Sequence, residues 1–186
     1  MLDVDLAIAD LELVIGFWPP DIADQEEFDL IEEKYDQTML ELDRLLEGNR
    51  DSLKLRVKRG RLHRMGHNFD KDGAWQRAET DLLTVLEMDS ENVPAMVEIG
   101  LLYVNSELEF APRAQRYFER AQQIQGEEPH EAAQVGLFFS YYYQGKLKKA
   151  REKALLLNEH FPNVEKYQNL LEIIEDVLAR PGMDGG

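Results

Sequence analysis

The sequence contains no cysteine, which excludes disulfides, thiolate metal sites and cysteine nucleophiles. Base is scarce: 21 Lys and Arg stand against 37 Asp and Glu, a formal net charge of −16. A surface dominated by acid repels phosphates and argues against nucleic acid as a general partner. Long apolar runs are also missing. The most apolar N-terminal stretch, Leu6 to Trp18, is interrupted by Asp10 and Glu12, is too short for a membrane span, and lacks the basic flank of a secretory signal. A cytoplasmic protein without membrane association is the resulting expectation. Neither a GxSxG elbow nor a GxGxxG or GxxxxGK[ST] phosphate loop is present, so no motif points to an enzyme.

What the chain does have is apolar content and helical spacing. Forty-four per cent of its 186 residues are hydrophobic, too many for a wholly disordered chain and enough for one domain or a small repeat array. Apolar residues recur at three and four, the mark of helices with one buried face, and strand-like alternation is almost absent. Asp3 can cap a first helix running to about Phe17, which Trp18-Pro19-Pro20 stops. Asp24 opens a second, with Phe28, Ile31, Tyr35, Met39, Leu42 and Leu46 on its apolar face, and Gly48-Asn49 closes it. A last helix over about 164–179 buries Tyr167, Leu170, Leu171, Ile174 and Leu178, and residues 181–186 read as a flexible tail.

Between these ends the chain repeats. Tyr141, Gly145, Ala150, Ala154, Leu157 and Pro162 form one series of aromatic, turn glycine, small packing residues and closing proline. Gly100, Tyr103, Ala114, Phe118 and Ala121 form an earlier approximation, and Gly60, His63, Ala78, Leu82 and Val85 an earlier one still. The series resembles the tetratricopeptide repeat. The resemblance implies an all-α array of helical hairpins in a right-handed superhelix: repeats at about 51–91, 92–128 and 129–163, an acidic helical pair over 1–50 and a capping helix over 164–180. It also implies a non-catalytic module for protein–protein interaction. In this family the first helix of each pair lines a concave groove. That face carries Lys54, Arg61 and Arg64 in the first unit, Val97, Leu101 and Val104 in the second, and Phe139, Tyr142 and Tyr143 in the third. Such a groove, basic at one end and apolar-aromatic at the other, suits a peptide or helical segment with acids and large apolar anchors. Val97, Leu101 and Phe139 stand where the carboxylate-clamping members of the family carry polar ligands. Self-association through the groove is the alternative.

The turn of the first repeat is longer than the others, and its residues Asn68 to Glu79, NFDKDGAWQRAE, resemble an EF-hand loop. Asn68, Asp70 and Asp72 take the alternating oxygen positions, Gly73 the sharp turn, Ala74 the carbonyl position, Gln76 the water-bridging position and Glu79 the terminal acid. The resemblance implies a Ca2+ ion of moderate affinity. The bland reading is a polar turn held by Asx hydrogen bonds. His63 and His67, four apart, could share a metal, but no further ligand motif accompanies them. Lastly, charge is segregated. Residues 1–50 hold fifteen acids and three bases, whereas 51–67 hold six bases and one acid. The acidic second helix is therefore expected to dock on the basic Lys54–Arg64 face, steering packing more than stabilising it.

Overall fold

The computed structural model describes residues 2–180. All of the regular structure among them is helical: α1 (Val4–Ile15), α2 (Gln25–Gly48), α3 (Leu53–Asn68), α4 (Ala74–Met88), α5 (Val93–Val104), α6 (Ala111–Gln125), α7 (Glu131–Tyr143), α8 (Leu147–His160) and α9 (Glu165–Leu178), with a single 3-10 turn at Leu108–Phe110. The chain is all-α, as its periodicity indicates. No described helix is long and apolar enough to cross a membrane. The expected tail at 181–186 lies outside the described residues.

Local chemistry sets the helix starts. The carboxylate of Asp3 accepts from the amides of Asp5 and Leu6, and that of Asp24 from Glu27. Ser52 caps α3 and Asn92 caps α5 in the same way, each satisfying an amide that the helix leaves unpaired. At α7 the cap is His130, whose Nδ1 accepts from the Ala133 amide at 3.3 Å. The first helix stops at Ile15, two residues short of the expected Phe17. Left-handed glycines, Gly73 (φ +66°) and Gly145 (φ +69°), make the turns before α4 and α8.

Each helix packs against its successor, and α1 also packs on α3, α3 on α5, and α5 on α7. Two apolar cores result. One is shared by α1, α2 and α3 (Val4, Ile8, Leu11, Ile15, Tyr35, Leu42, Leu62 and Met65, with Phe69 just beyond α3). The other runs from α4 through α9. Ala78, Ala114 and Ala150 are wholly buried. Close approach of paired helices is set by glycine as well: a Cβ on Gly60 would stand 2.7 Å from Leu82, and one on Gly136 would stand 2.2 Å from the ring of Phe118.

Candidate functional site

An open groove of about 450 Å³ lies between the end of α1, the middle of α3 and α5, and the starts of α7 and α9. Val97 and Leu101 from α5 form one apolar wall, Ala132 and Val135 from α7 another, and Phe17 stands at the rim. Phe139 and Tyr142 follow Val135 on the same face of α7 at helical spacing and are half-buried, while Tyr143 beside them is exposed. The rings of Phe139 and Tyr143 lie 6.0 Å apart.

The basic end of the expected groove is corrected by the structure. Arg64 is only 1% exposed. Its Nε donates to Glu98 at 2.8 Å, one Nη to the Gly16 carbonyl at 2.7 Å, and the other Nη to both oxygens of Glu12 at 2.8 and 2.9 Å. Arg61 donates to Glu12 at 2.9 Å and stands 3.5 Å from Glu98. Two guanidiniums and two carboxylates therefore neutralise one another where α1 meets α3 and α5. Burial alone would raise the Glu12 pKa, but Arg64 and Arg61 outweigh it and hold the carboxyl below its ordinary value. Burial opposes the charge on Arg64, and Glu98 and Glu12 more than restore it. Val104 does not line the groove and packs in the larger core. Lys54 remains exposed at the start of α3.

The remaining bases of α3 are divided between neighbours. Lys58 pairs with Asp5 of α1, and Arg59 reaches Asp43 of α2 at 2.9 Å. Asp81 of α4 accepts two bonds of 2.8 Å from Arg59 and one of 3.4 Å from Arg56. The acidic second helix thus supplies a small part of the partners of the α3 bases, and α1, α4 and α5 supply the others.

The Asn68–Glu79 segment also departs from the expected arrangement. Asn68 ends α3, and its Nδ2 donates to the Ile15 carbonyl at 3.1 Å. Glu79 faces the opposite way, accepting the Tyr103 hydroxyl at 2.6 Å with Arg113 at 3.8 Å. Ala74 is already the first residue of α4, so its carbonyl belongs to the helix. Asp70 and Asp72 are exposed on the turn, as is Gln76 on α4. Between the two Asp residues, Lys71 reaches Glu32 at 2.8 Å and Asp36 at 3.1 Å, tying the turn to α2. Among the described residues no group of three or more His, Asp or Glu side chains is arranged to hold a metal ion. As arranged, Asn68 and Glu79 are each bonded to other partners, the Ile15 carbonyl and the Tyr103 hydroxyl.

His63 and His67 also part company. His63 lines a cleft between α2, α3 and α4, while His67 lines another beside Trp75 and Ser106. Burial pushes His63 down to about 4, opposed by Asp81 and aided by Arg77 and Arg59, and its Nδ1 has no partner. The sequence reading missed Glu12 and Glu98 as the partners of Arg64. Among the many acids of this chain, nothing in their spacing distinguishes these two. Compared with known proteins, the chain matches no protein family, and it has no match among the curated proteins or the solved structures.

Proposed function

We propose that this chain is a non-catalytic, tetratricopeptide-like helical scaffold whose groove receives a protein segment carrying at least two large apolar side chains. The carrying observation is the open groove whose facing walls are Val97 and Leu101 on one side and Ala132 and Val135 on the other. The apolar walls favour apolar anchors, which dominate the energetics of such interfaces, and the charged side chains that also line the groove, Glu12, Arg61, Glu98, Glu131 and Lys166, are of both signs. The succession α1 on α3, α3 on α5, α5 on α7 supports the repeat reading, because stacked hairpins bury each other's apolar faces and leave one continuous side free.

The basis for an acidic ligand is weaker than the sequence suggested, because Arg61 and Arg64 already face Glu12 and Glu98. The ligand of this reading is therefore apolar and near neutral, and the scaffold needs no metal.

Selection from a displayed peptide library tests the reading. Enriched peptides should share spaced large apolar residues, and Leu101→Lys should weaken them about tenfold or more while the variant keeps its helicity. Failure to enrich any such peptide, or equal binding by Leu101→Lys, would overturn the assignment. A dimer in light scattering that Leu101→Lys dissociates would replace it with self-association.

A further inference from the structure

The cleft between α2, α3 and α4 holds about 710 Å³, the size of a small-molecule site, and shares no lining residue with the groove. Two polar side chains on its wall are buried yet lack partners: Tyr35 is 4% exposed and His63 7%. The Tyr35 hydroxyl makes no hydrogen bond among the described residues, and neither does the Nδ1 of His63. The hydroxyl lies against Gly66, where an added Cβ would stand 2.3 Å from it. Gly66 is three residues beyond His63 and so on the same side of α3. Both groups are uncharged at neutral pH, because burial pushes the hydroxyl up to about 12 and the imidazole down to about 4. Buried polar groups almost always hydrogen-bond. Two that face one cleft unpartnered mark a place where a ligand can complete them.

The charges of the cleft are unequally used. Arg59 is taken up by Asp43 and Asp81, and Lys71 by Glu32 and Asp36. Arg77 instead meets a single backbone oxygen, the Asp72 carbonyl at 2.5 Å. Among the described residues neither the Arg77 guanidinium nor the Asp72 carboxylate is in an ion pair, and both residues are exposed where they line the cleft. One unpaired charge of each sign thus stands at the mouth, with two neutral hydrogen-bonding groups deeper in. We propose that this cleft binds a free α-amino acid whose side chain is uncharged and hydrogen-bonding. Such a ligand carries a carboxylate and an ammonium on one carbon, to meet Arg77 and Asp72, and the guanidinium fork suits a carboxylate. Its side chain reaches Tyr35 and His63, which can each donate or accept without answering a charge. A phosphate-bearing ligand is disfavoured, because four carboxylates line the cleft against three cations and would repel added negative charge. A simple cation would leave Arg77 unanswered. The site does not depend on the groove.

Calorimetric titration of the full chain with L-glutamine tests the proposal, because a carboxamide both donates and accepts. Binding is expected, weakened about threefold or more by Tyr35→Phe and about tenfold or more by Arg77→Gln. Both variants should keep their helicity, since one loses a hydroxyl without a partner and the other an exposed side chain. L-Leucine, of similar size but without the polar tip, should bind more weakly, as should N-acetyl-L-glutamine and L-glutaminamide, which each lack one of the two charges. Leu101→Lys should bind L-glutamine as the parent does. No binding at millimolar L-glutamine would overturn the proposal and leave water as the partner of Tyr35 and His63. Equal binding of N-acetyl-L-glutamine or L-glutaminamide would refute recognition of the zwitterion, and tighter binding of inorganic phosphate would reassign the cleft to an anion. Affinity unchanged in both Tyr35→Phe and Arg77→Gln would place the ligand elsewhere on the molecule.

Discussion

Replacing Arg64 with Met keeps most of the aliphatic stem and removes only the charged fork. In the native protein that fork makes four hydrogen bonds, to Glu98, to Gly16 and to both oxygens of Glu12. Its loss leaves Glu98, whose side chain is 11% exposed, without its closest cation, and removes one of two cations from Glu12. Breaking a buried pair from one side costs about 3–5 kcal/mol, because the surviving charge stays in a low-dielectric site. In a chain of this length that is a fall in melting temperature of about 6–20 °C.

Removing the stranded charges as well, in Arg64→Met/Glu12→Gln/Glu98→Gln, should recover about half of the loss or more. Since α1 rests on this network, its amides should lose hydrogen-exchange protection before those of α5–α8. The deficit should also depend on pH. Glu12 is depressed below its ordinary 4.5 in the folded protein, so its contribution is present above that value and disappears as pH falls through the depressed one. The gap between parent and Arg64→Met should therefore be widest at neutral pH and narrow below about 4.5. Urea denaturation at several pH values measures the first and the third, and amide hydrogen exchange measures the second. A loss under about 1 kcal/mol at pH 7, the scale of a surface pair, would refute the assignment of Arg64 as the buried clamp of α1.

Other consequences are as direct. His63, held near 4 against an ordinary 6.5, stays neutral when folded but binds a proton when unfolded. Stability is then full above pH 6.5 and falls between 6.5 and 4, by up to about 3 kcal/mol. His63→Gln should flatten that part of the profile, and an unchanged slope would refute the burial argument. Glu79→Ala removes the acceptor of the Tyr103 hydroxyl and should cost about 1–3 kcal/mol, whereas millimolar calcium should leave the melting temperature and Trp75 fluorescence unchanged. A calcium-induced rise abolished by Glu79→Gln would reinstate the ion. Gly136→Ala should cost about 1–3 kcal/mol by forcing Phe118 aside. Gly48→Ala, with open space at its Cβ, should instead gain about 0.5–1 kcal/mol from helix propensity, and thermal melts separate the two.

Most of the helical architecture was legible in local chemistry. Asp3 and Asp24 cap helices in the structure as their place before apolar runs indicates, because a short polar side chain there can satisfy the free amides of a helix start; Ser52 and Asn92 do the same without having been singled out. The spaced alanines Ala78, Ala114 and Ala150 are buried for a similarly local reason, since a small residue on an apolar face lets a neighbour approach. Of the side chains expected along a groove, Arg61, Val97 and Leu101 line the open cleft, whereas Val104, Phe139, Tyr142 and Tyr143 are not among its lining residues.

The fate of the charges was not. The run Lys54, Arg56, Lys58, Arg59, Arg61 and Arg64 has one appearance in sequence and several in space, because α3 is enclosed by α1, α2, α4 and α5. Electrostatic partners lie 16 to 53 residues away along the chain, as in the pairs Arg59–Asp43 and Lys58–Asp5, and no periodicity encodes such a distance.

The turn shows the same division. Residue types suited to calcium stand at suitable intervals along the chain, but helix α4 begins at Ala74 and turns Glu79 toward Tyr103, away from Asn68. Sequence alone determined that the chain is helical and where α1 and α2 begin, because capping and periodicity act within one or two turns. Tertiary structure alone decided which charges are buried and which turn residues converge, because those depend on what the rest of the chain brings alongside.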